Sequence, residues 1–82
     1  MTNYPNPFRG ITTFSFELNE PAKVTIRIYN NLGRMVDQPV SATRPQGEVK
    51  IEWNSGNLPA GIYYYRVAAG NYEGSGKMMN LE

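Results

Sequence analysis

Few side chains of this 82-residue chain could act as catalytic acids, bases, nucleophiles or metal ligands. Histidine and cysteine are both absent, so the usual general base, the usual thiol nucleophile and the commonest metal ligands are missing. The seven carboxylates stand singly, at Glu17, Glu20, Asp37, Glu48, Glu52, Glu73 and Glu82. Glu48 and Glu52 come nearest to a pair, but they flank Lys50 at outward positions of one alternating run, as on an ordinary solvated sheet face. We therefore predict a protein that is not an enzyme and that binds neither a metal ion nor a cofactor.

Amides and tyrosines are the remaining side chains that could bind a ligand. Amide oxygens recur in predicted turns, without a neighbouring aspartate, at Asn54, Asn57 and Asn71. A calcium site needs carboxylate oxygens, so this set does not predict one. Tyr29, Tyr64 and Tyr72 lie outside the predicted core and could stack on a sugar, although such tyrosines more often cover cross-strand neighbours. Carbohydrate binding therefore stays an alternative to a structural role for these rings.

Charge and hydropathy exclude two further kinds of partner. The net charge is +1, and basic and acidic residues are interspersed without the basic stripe that binding to a phosphate backbone requires. No apolar run approaches the roughly 20 residues of a membrane-spanning helix. We therefore expect no nucleic acid partner and no membrane span. The first residues do not resemble a signal peptide, and Met1 and Thr2 are interpreted as additions to a segment of a longer protein.

Apolar and polar residues alternate in four runs, as is typical of strands that are buried on one face. The predicted inward residues are Phe14, Phe16 and Leu18; Val24, Ile26 and Ile28; Val49, Ile51 and Trp53; and Tyr63, Tyr65 and Val67. A weaker run covers residues 34–40, with Val36 as its best inward candidate. The last run covers residues 72–81, where Met79 and Leu81 share a parity. It contains Gly74 and Gly76, whose missing side chains predict a poorly packed edge that could receive another strand.

Turn residues separate these runs. Pro, Gly and Asn cluster between every pair, and Gly70-Asn71 has the composition of a short hairpin turn. No window of eleven residues has a helical stripe. The pattern predicts one all-β domain over residues 1–82, an immunoglobulin-like antiparallel β-sandwich of about seven strands.

The amino-terminal segment has an unusual sequence, namely Tyr4, Pro5, Asn6, Pro7 and Phe8. Two prolines keep the segment extended and remove two backbone hydrogen-bond donors. We interpret it as the clamp at which a flexible linker joins the folded domain, with Tyr4 or Phe8 as an anchor.

The motifs resemble those of a known family in their order and spacing. They are residues 4–8, 12–18, 24–30, 32–36, 53–54, 58–67 and 77–79. Together they closely resemble the type A C-terminal sorting domain of the type IX secretion system, over residues 3–81. The resemblance implies a non-catalytic signal at the carboxyl end of a larger protein, which passes through the periplasm and is then secreted or displayed on the cell surface.

The resemblance also implies partners and recognition residues. The partners are the outer-membrane translocon and a sortase-like cysteine protease, which removes the domain or attaches the cargo to the surface after a cut expected upstream of Tyr4. Carried over by position, the sorting motif falls on Gly61, Tyr63, Tyr65, Arg66, Lys77, Met78, Met79 and Leu81. Asn80 and the terminal Glu82 depart from the basic or apolar ends that are common in the family. The domain is expected to be a monomer with no small-molecule substrate.

Two other functions stay open at this point. One is an accessory carbohydrate- or surface-binding module of a secreted hydrolase. The other is a structural spacer similar to the immunoglobulin-like part of flagellar hook-capping proteins.

Overall fold

A computed structural model describes residues 2–82, and Met1 lies outside the described part. The strands are β1 (Thr2–Arg9), β2 (Ile11–Leu18), β3 (Ala22–Tyr29), β4 (Met35–Arg44), β5 (Gly47–Asn54), β6 (Gly61–Ala69) and β7 (Tyr72–Asn80). Within residues 2–82, no helix is long and apolar enough to cross a membrane.

The strands form two sheets that pack face to face. One sheet has the order β1-β2-β5 and the other has the order β4-β3-β6-β7. Consecutive strands form hairpins within a sheet at β1–β2, β3–β4 and β6–β7, whereas the other connections cross between the sheets. Gly70 begins the β6–β7 turn with a φ of 61°, a conformation that a two-residue hairpin requires and that glycine adopts without strain. This topology confirms the predicted antiparallel β-sandwich.

The core lies between the inner faces of the two sheets. Every predicted inward residue of the four alternating runs is buried. Aromatic rings from opposite sheets meet edge to face, with centroids 5.1 Å apart for Phe14 and Tyr65 and 6.3 Å apart for Trp53 and Tyr63. Such pairs add about 0.5–1.5 kcal/mol each beyond the area they bury. The predicted parity of β6 is therefore confirmed.

The inward candidate predicted for β4, Val36, packs against the core, but it is not the most buried residue of the strand. Val40 is buried and Val36 is only half-buried. The cause is an irregularity in the β3–β4 pairing, where Ile26 lies opposite Val40 but Ile28 lies opposite Asp37. A second irregularity follows before Tyr29, which lies opposite Met35, so β4 does not alternate regularly through residues 34–40.

The two glycines of β7 do not leave the strand poorly packed, although the sequence predicted that they would. A Cβ on Gly76 would collide with the ring and hydroxyl of Tyr65, and a Cβ on Gly74 would lie 2.8 Å from the Tyr72 hydroxyl. These positions are glycine because aromatic rings lie directly over the strand. The strand is therefore well packed at the two positions that were predicted to weaken it.

Candidate functional site

The two halves of the predicted sorting motif are neighbours across one strand pair. In the antiparallel β6–β7 ladder, Gly61 lies opposite Asn80 and Tyr63 lies opposite Met78. Residues that are far apart in the sequence therefore lie side by side in one strand pair. The structure brings this predicted set together, with Leu81 directly after the end of β7.

One half of this motif faces inward and stabilises the fold. Tyr63, Tyr65 and Met78 are all buried, and burial raises the pKa of both tyrosines. The Tyr63 hydroxyl donates a hydrogen bond of 2.6 Å to the carbonyl of Pro59, four residues upstream, as in the tyrosine corner of immunoglobulin-like domains. Gly61 has a φ of 146°, which side chains disfavour, so the residue type is fixed by the turn before β6.

The other half of the motif faces solvent. Arg66 and Lys77 are exposed, and Met79 and Leu81 are 40% and 43% exposed. Met79 and Leu81 do share a parity, but it is the outward one, because the inward positions are Met78 and the fully buried Asn80. The outward residues are the ones that a partner can reach.

The amino-terminal motif lies beside the terminal motif. β1 pairs with β2 from Thr2 to Tyr4, and then moves to the other sheet, where Phe8 pairs in parallel with Asn80. The peptide bonds before Pro5 and Pro7 are both cis. Phe8 is 1% exposed and packs edge to face on Trp53, whereas Tyr4 is 47% exposed. Phe8 is therefore the anchor of this segment.

Asn6 lies between two prolines, which have no backbone N–H to donate, and its side chain forms hydrogen bonds with the β7 backbone instead. Its Nδ2 donates to the Lys77 carbonyl and its Oδ1 accepts from the Met79 N–H, both at 3.1 Å. The side-chain amide thus pairs with the β7 backbone as a strand residue would. We call this pair of bonds the Asn6 clamp.

Asn80 is a structural residue that sequence reasoning missed. It is 1% exposed. Its Oδ1 accepts from the Gly10 and Glu82 backbone N–H groups at 3.2 and 3.1 Å, and its Nδ2 donates to the Ser55 hydroxyl at 3.2 Å. A polar side chain at this depth is stable because all these groups are satisfied. Its inward parity follows from Met78, two residues earlier.

The free edge of β7 is shorter than predicted. β6 pairs with the whole of β7, from Tyr72 to Asn80. On the other side, the Asn6 clamp and Phe8 cover Lys77 to Asn80, and the Leu81 N–H donates to the Phe8 carbonyl at 2.8 Å. Among the described strands, none pairs with this side of β7 between residues 72 and 76. Strand addition is therefore available there and not at the terminal motif.

The three candidate sugar-binding tyrosines do not form one site. Tyr29 lies opposite Tyr64 on the outer face of the four-stranded sheet. Tyr72 instead stacks on Phe16, with centroids 6.4 Å apart and ring planes 12° apart. Only two of the three rings can contact one ligand.

The carboxylates of the described residues do not gather into a metal-binding group. No three or more acidic residues converge within residues 2–82. Glu48 lies 3.8 Å from Lys50 Nζ on the outer face of β5, and both are exposed. These positions agree with the solvated face expected from the alternation.

The comparison with protein families agrees with this assembly of motifs. A search of curated proteins found no match to the chain. A family model described as a secretion system C-terminal sorting domain matches residues 2–80, which is nearly the whole chain. The chain therefore belongs to the family of type IX secretion C-terminal sorting domains.

Proposed function

We propose that this domain is a non-catalytic signal that directs a cargo protein across the outer membrane through the type IX secretion system. The proposal is supported by the family match and by one feature of the fold, namely that β6, β7 and β1 carry the three motifs side by side. Such an arrangement exists only in the folded domain, so the translocon recognises a folded module. The cargo is in the periplasm during transit and is then secreted or attached to the cell surface.

The sortase-like cysteine protease acts after recognition, at a site upstream of Tyr4. Asn6 and Phe8 of β1 contact β7 and the core, so a cut that removed either residue would damage the domain. A cut before Tyr4 leaves the clamp and the core within the released domain. The cargo would then be released or attached to the surface without unfolding its signal.

Contact with the translocon is proposed at the exposed residues of the terminal motif and at the free edge of β7. Leu81 is 43% exposed, and its side chain is not part of the core. The unpaired backbone between residues 72 and 76 can accept a strand from a partner.

The test is secretion of a periplasmically exported reporter fused to the domain in a type IX-competent host. The wild-type fusion is expected in the medium or on the surface, and a fusion lacking residues 77–82 is expected to stay in the periplasm. Because that deletion also removes buried Met78 and Asn80, Leu81→Asp serves as the variant that preserves the core. Secretion of both variants at the wild-type level would refute a role for the terminal motif, and failure of the wild-type fusion would refute the proposed function.

A further inference from the structure

The outward side of β3, β6 and β7 carries an unusual set of exposed and half-buried side chains. We call this surface the outer face, and its residues are Arg27, Tyr29, Ile62, Tyr64, Arg66, Lys77 and Met79. The strand pairings arrange them in rows, with Tyr29 opposite Tyr64 and Tyr64 opposite Lys77. None of these side chains belongs to the buried core.

Two arginines face each other in the middle of this surface. Arg27 lies directly opposite Arg66, and both are exposed. Like charges at opposite positions destabilise a sheet. Within residues 2–82 the one ion pair joins Lys50 to Glu48, so neither guanidinium has a carboxylate within 4.0 Å. Arg27 Nε donates to Gln38 Oε1 at 3.3 Å, which orients this guanidinium but does not neutralise it. An anionic partner would remove the repulsion.

Charge is segregated between the two faces of the sandwich. The outer side of β3, β6 and β7 has one carboxylate, Glu73, against four cations, Lys23, Arg27, Arg66 and Lys77. The outer side of β1, β2 and β5 has two cations, Arg9 and Lys50, against three carboxylates, Glu17, Glu48 and Glu52. The net charge of +1 conceals this asymmetry. A basic face of this kind orients an approaching acidic surface.

The apolar part of the outer face favours a protein over a sugar as the occupant. Tyr64 and Met79 are 44% and 40% exposed, Ile62 is half-buried beside them, and Met35 of β4, opposite Tyr29, is 50% exposed. Two shallow hollows of about 500 and 470 Å³ share Tyr29, Tyr64 and Arg66 in their walls. Tyrosine, arginine and methionine are enriched in protein interfaces, and exposed apolar patches with a charged rim mark such sites. Methionine and isoleucine have no comparable use in binding a sugar.

We propose that the outer face docks a partner protein whose surface presents carboxylates around an apolar centre. A carboxylate of the partner binds between Arg27 and Arg66, where charge-assisted hydrogen bonds replace the repulsion between the two guanidinium groups. Tyr64 and Met79 pack against the apolar centre and supply most of the buried area. The proposal rests on the proposed function, because the partner is placed in the secretion machinery.

Arg66→Gln gives the sharpest test, because stability and secretion are expected to change in opposite directions. Loss of one cation relieves the repulsion from Arg27, so the melting temperature is expected to be unchanged or higher. Secretion of the reporter fusion is expected to fall several-fold, and Arg66→Glu is expected to lower it about tenfold or more, because like charges would then meet in the interface. Lys50→Glu changes the charge equally on the opposite face and is expected to leave secretion within about twofold of wild type.

The outcomes separate this inference from the proposed function. If the wild-type fusion is secreted, and the Arg66→Glu fusion is secreted at the same level as the Lys50→Glu fusion, the outer face is not a docking surface. The sorting function would still stand. If the wild-type fusion itself is retained, the proposed function fails. In a separate NMR titration, oligogalacturonate serves as the probe for an acidic saccharide, and it is expected to leave the Tyr64 and Arg66 amide resonances unchanged. Saturable shifts confined to these residues would overturn the assignment to a protein partner.

Discussion

Asn6→Ala is expected to loosen the terminal motif from β1 without unfolding the sandwich. The change removes two side-chain hydrogen bonds of 3.1 Å, one to the Lys77 carbonyl and one from the Met79 N–H. A hydrogen bond contributes about 0.5–1.5 kcal/mol and exposed bonds lie in the lower part of this range, so the loss of both lowers the local opening free energy by about 1–2 kcal/mol. The core contacts of Phe8 remain, which confines the effect to this junction.

Amide hydrogen exchange measures the effect directly, because Met79 donates its own N–H to the clamp. A loss of about 1–2 kcal/mol speeds exchange at this amide by about 5–30-fold. The Ile28 amide, in the β3–β6 ladder, is the internal reference and is expected to keep its rate. Asn6→Asp is the matched variant, because its carboxylate still accepts from Met79 but cannot donate to Lys77. Exchange at Met79 is therefore expected to be slower in Asn6→Asp than in Asn6→Ala.

Two results would refute this reasoning. Unchanged exchange at Met79 in Asn6→Ala would mean that the clamp does not protect the strand. Equal acceleration at Met79 and Ile28 would mean that the variant lowers the stability of the whole domain, so the clamp would not be a local device.

Three further predictions concern the stability of the domain. Gly76→Ala is expected to cost about 1–3 kcal/mol, since the new methyl group must displace the Tyr65 ring, and the urea unfolding midpoint reports the loss. Asn80→Ala is expected to cost about 2–4 kcal/mol in the same assay, because buried partners lose their hydrogen bonds, whereas exposed Asn57→Ala is neutral. Burial raises the folded-state pKa of Tyr63 and Tyr65, so the folded state holds these protons more tightly and stability falls as the pH rises above about 10. Midpoints equal to wild type for the first two variants, or a midpoint that is constant between about pH 9 and pH 12, would contradict these assignments.

The core of this domain could be predicted from the sequence because strand parity is a local property. In β2, β3, β5 and β6 the alternation is uninterrupted, and one strongly apolar residue fixes the face of the others. The degree of burial along β4 could not be predicted in this way, because the extra residue near Pro39 belongs to the pairing with β3, and no local pattern reveals it. In β7 the outward Met79 and Leu81 are apolar while the inward Asn80 is polar, so hydropathy alone selects the wrong face.

The proposed recognition surface could be predicted as a set of motifs but not as an arrangement. The residues of β6 and β7 could be expected to pair through the Gly70 hairpin, since two adjacent strands with a short turn meet in register. The approach of β1 to β7 depends on long-range contacts of Asn6 and Phe8, which have no local signature. The opposition of Arg27 and Arg66 likewise depends on the register of β3 against β6.

The contact between the two ends of the chain bears on how the signal works. Residues 4–8 cover the edge of residues 77–80 and hold the terminal motif in its strand, and under the proposed function they are also the segment that leads to the cargo. A force applied to the cargo would act first on β1, because β1 is the strand next to the cargo. β1 is held at two places, since Thr2 to Tyr4 pair with β2 and Phe8 pairs with β7. If β1 detached, the backbone of Lys77 and Met79 would become free to pair with a partner strand. The clamp therefore limits strand addition to residues 72–76 while the domain is folded, and in the proposed recognition the side chains of the outer face act together with this short edge.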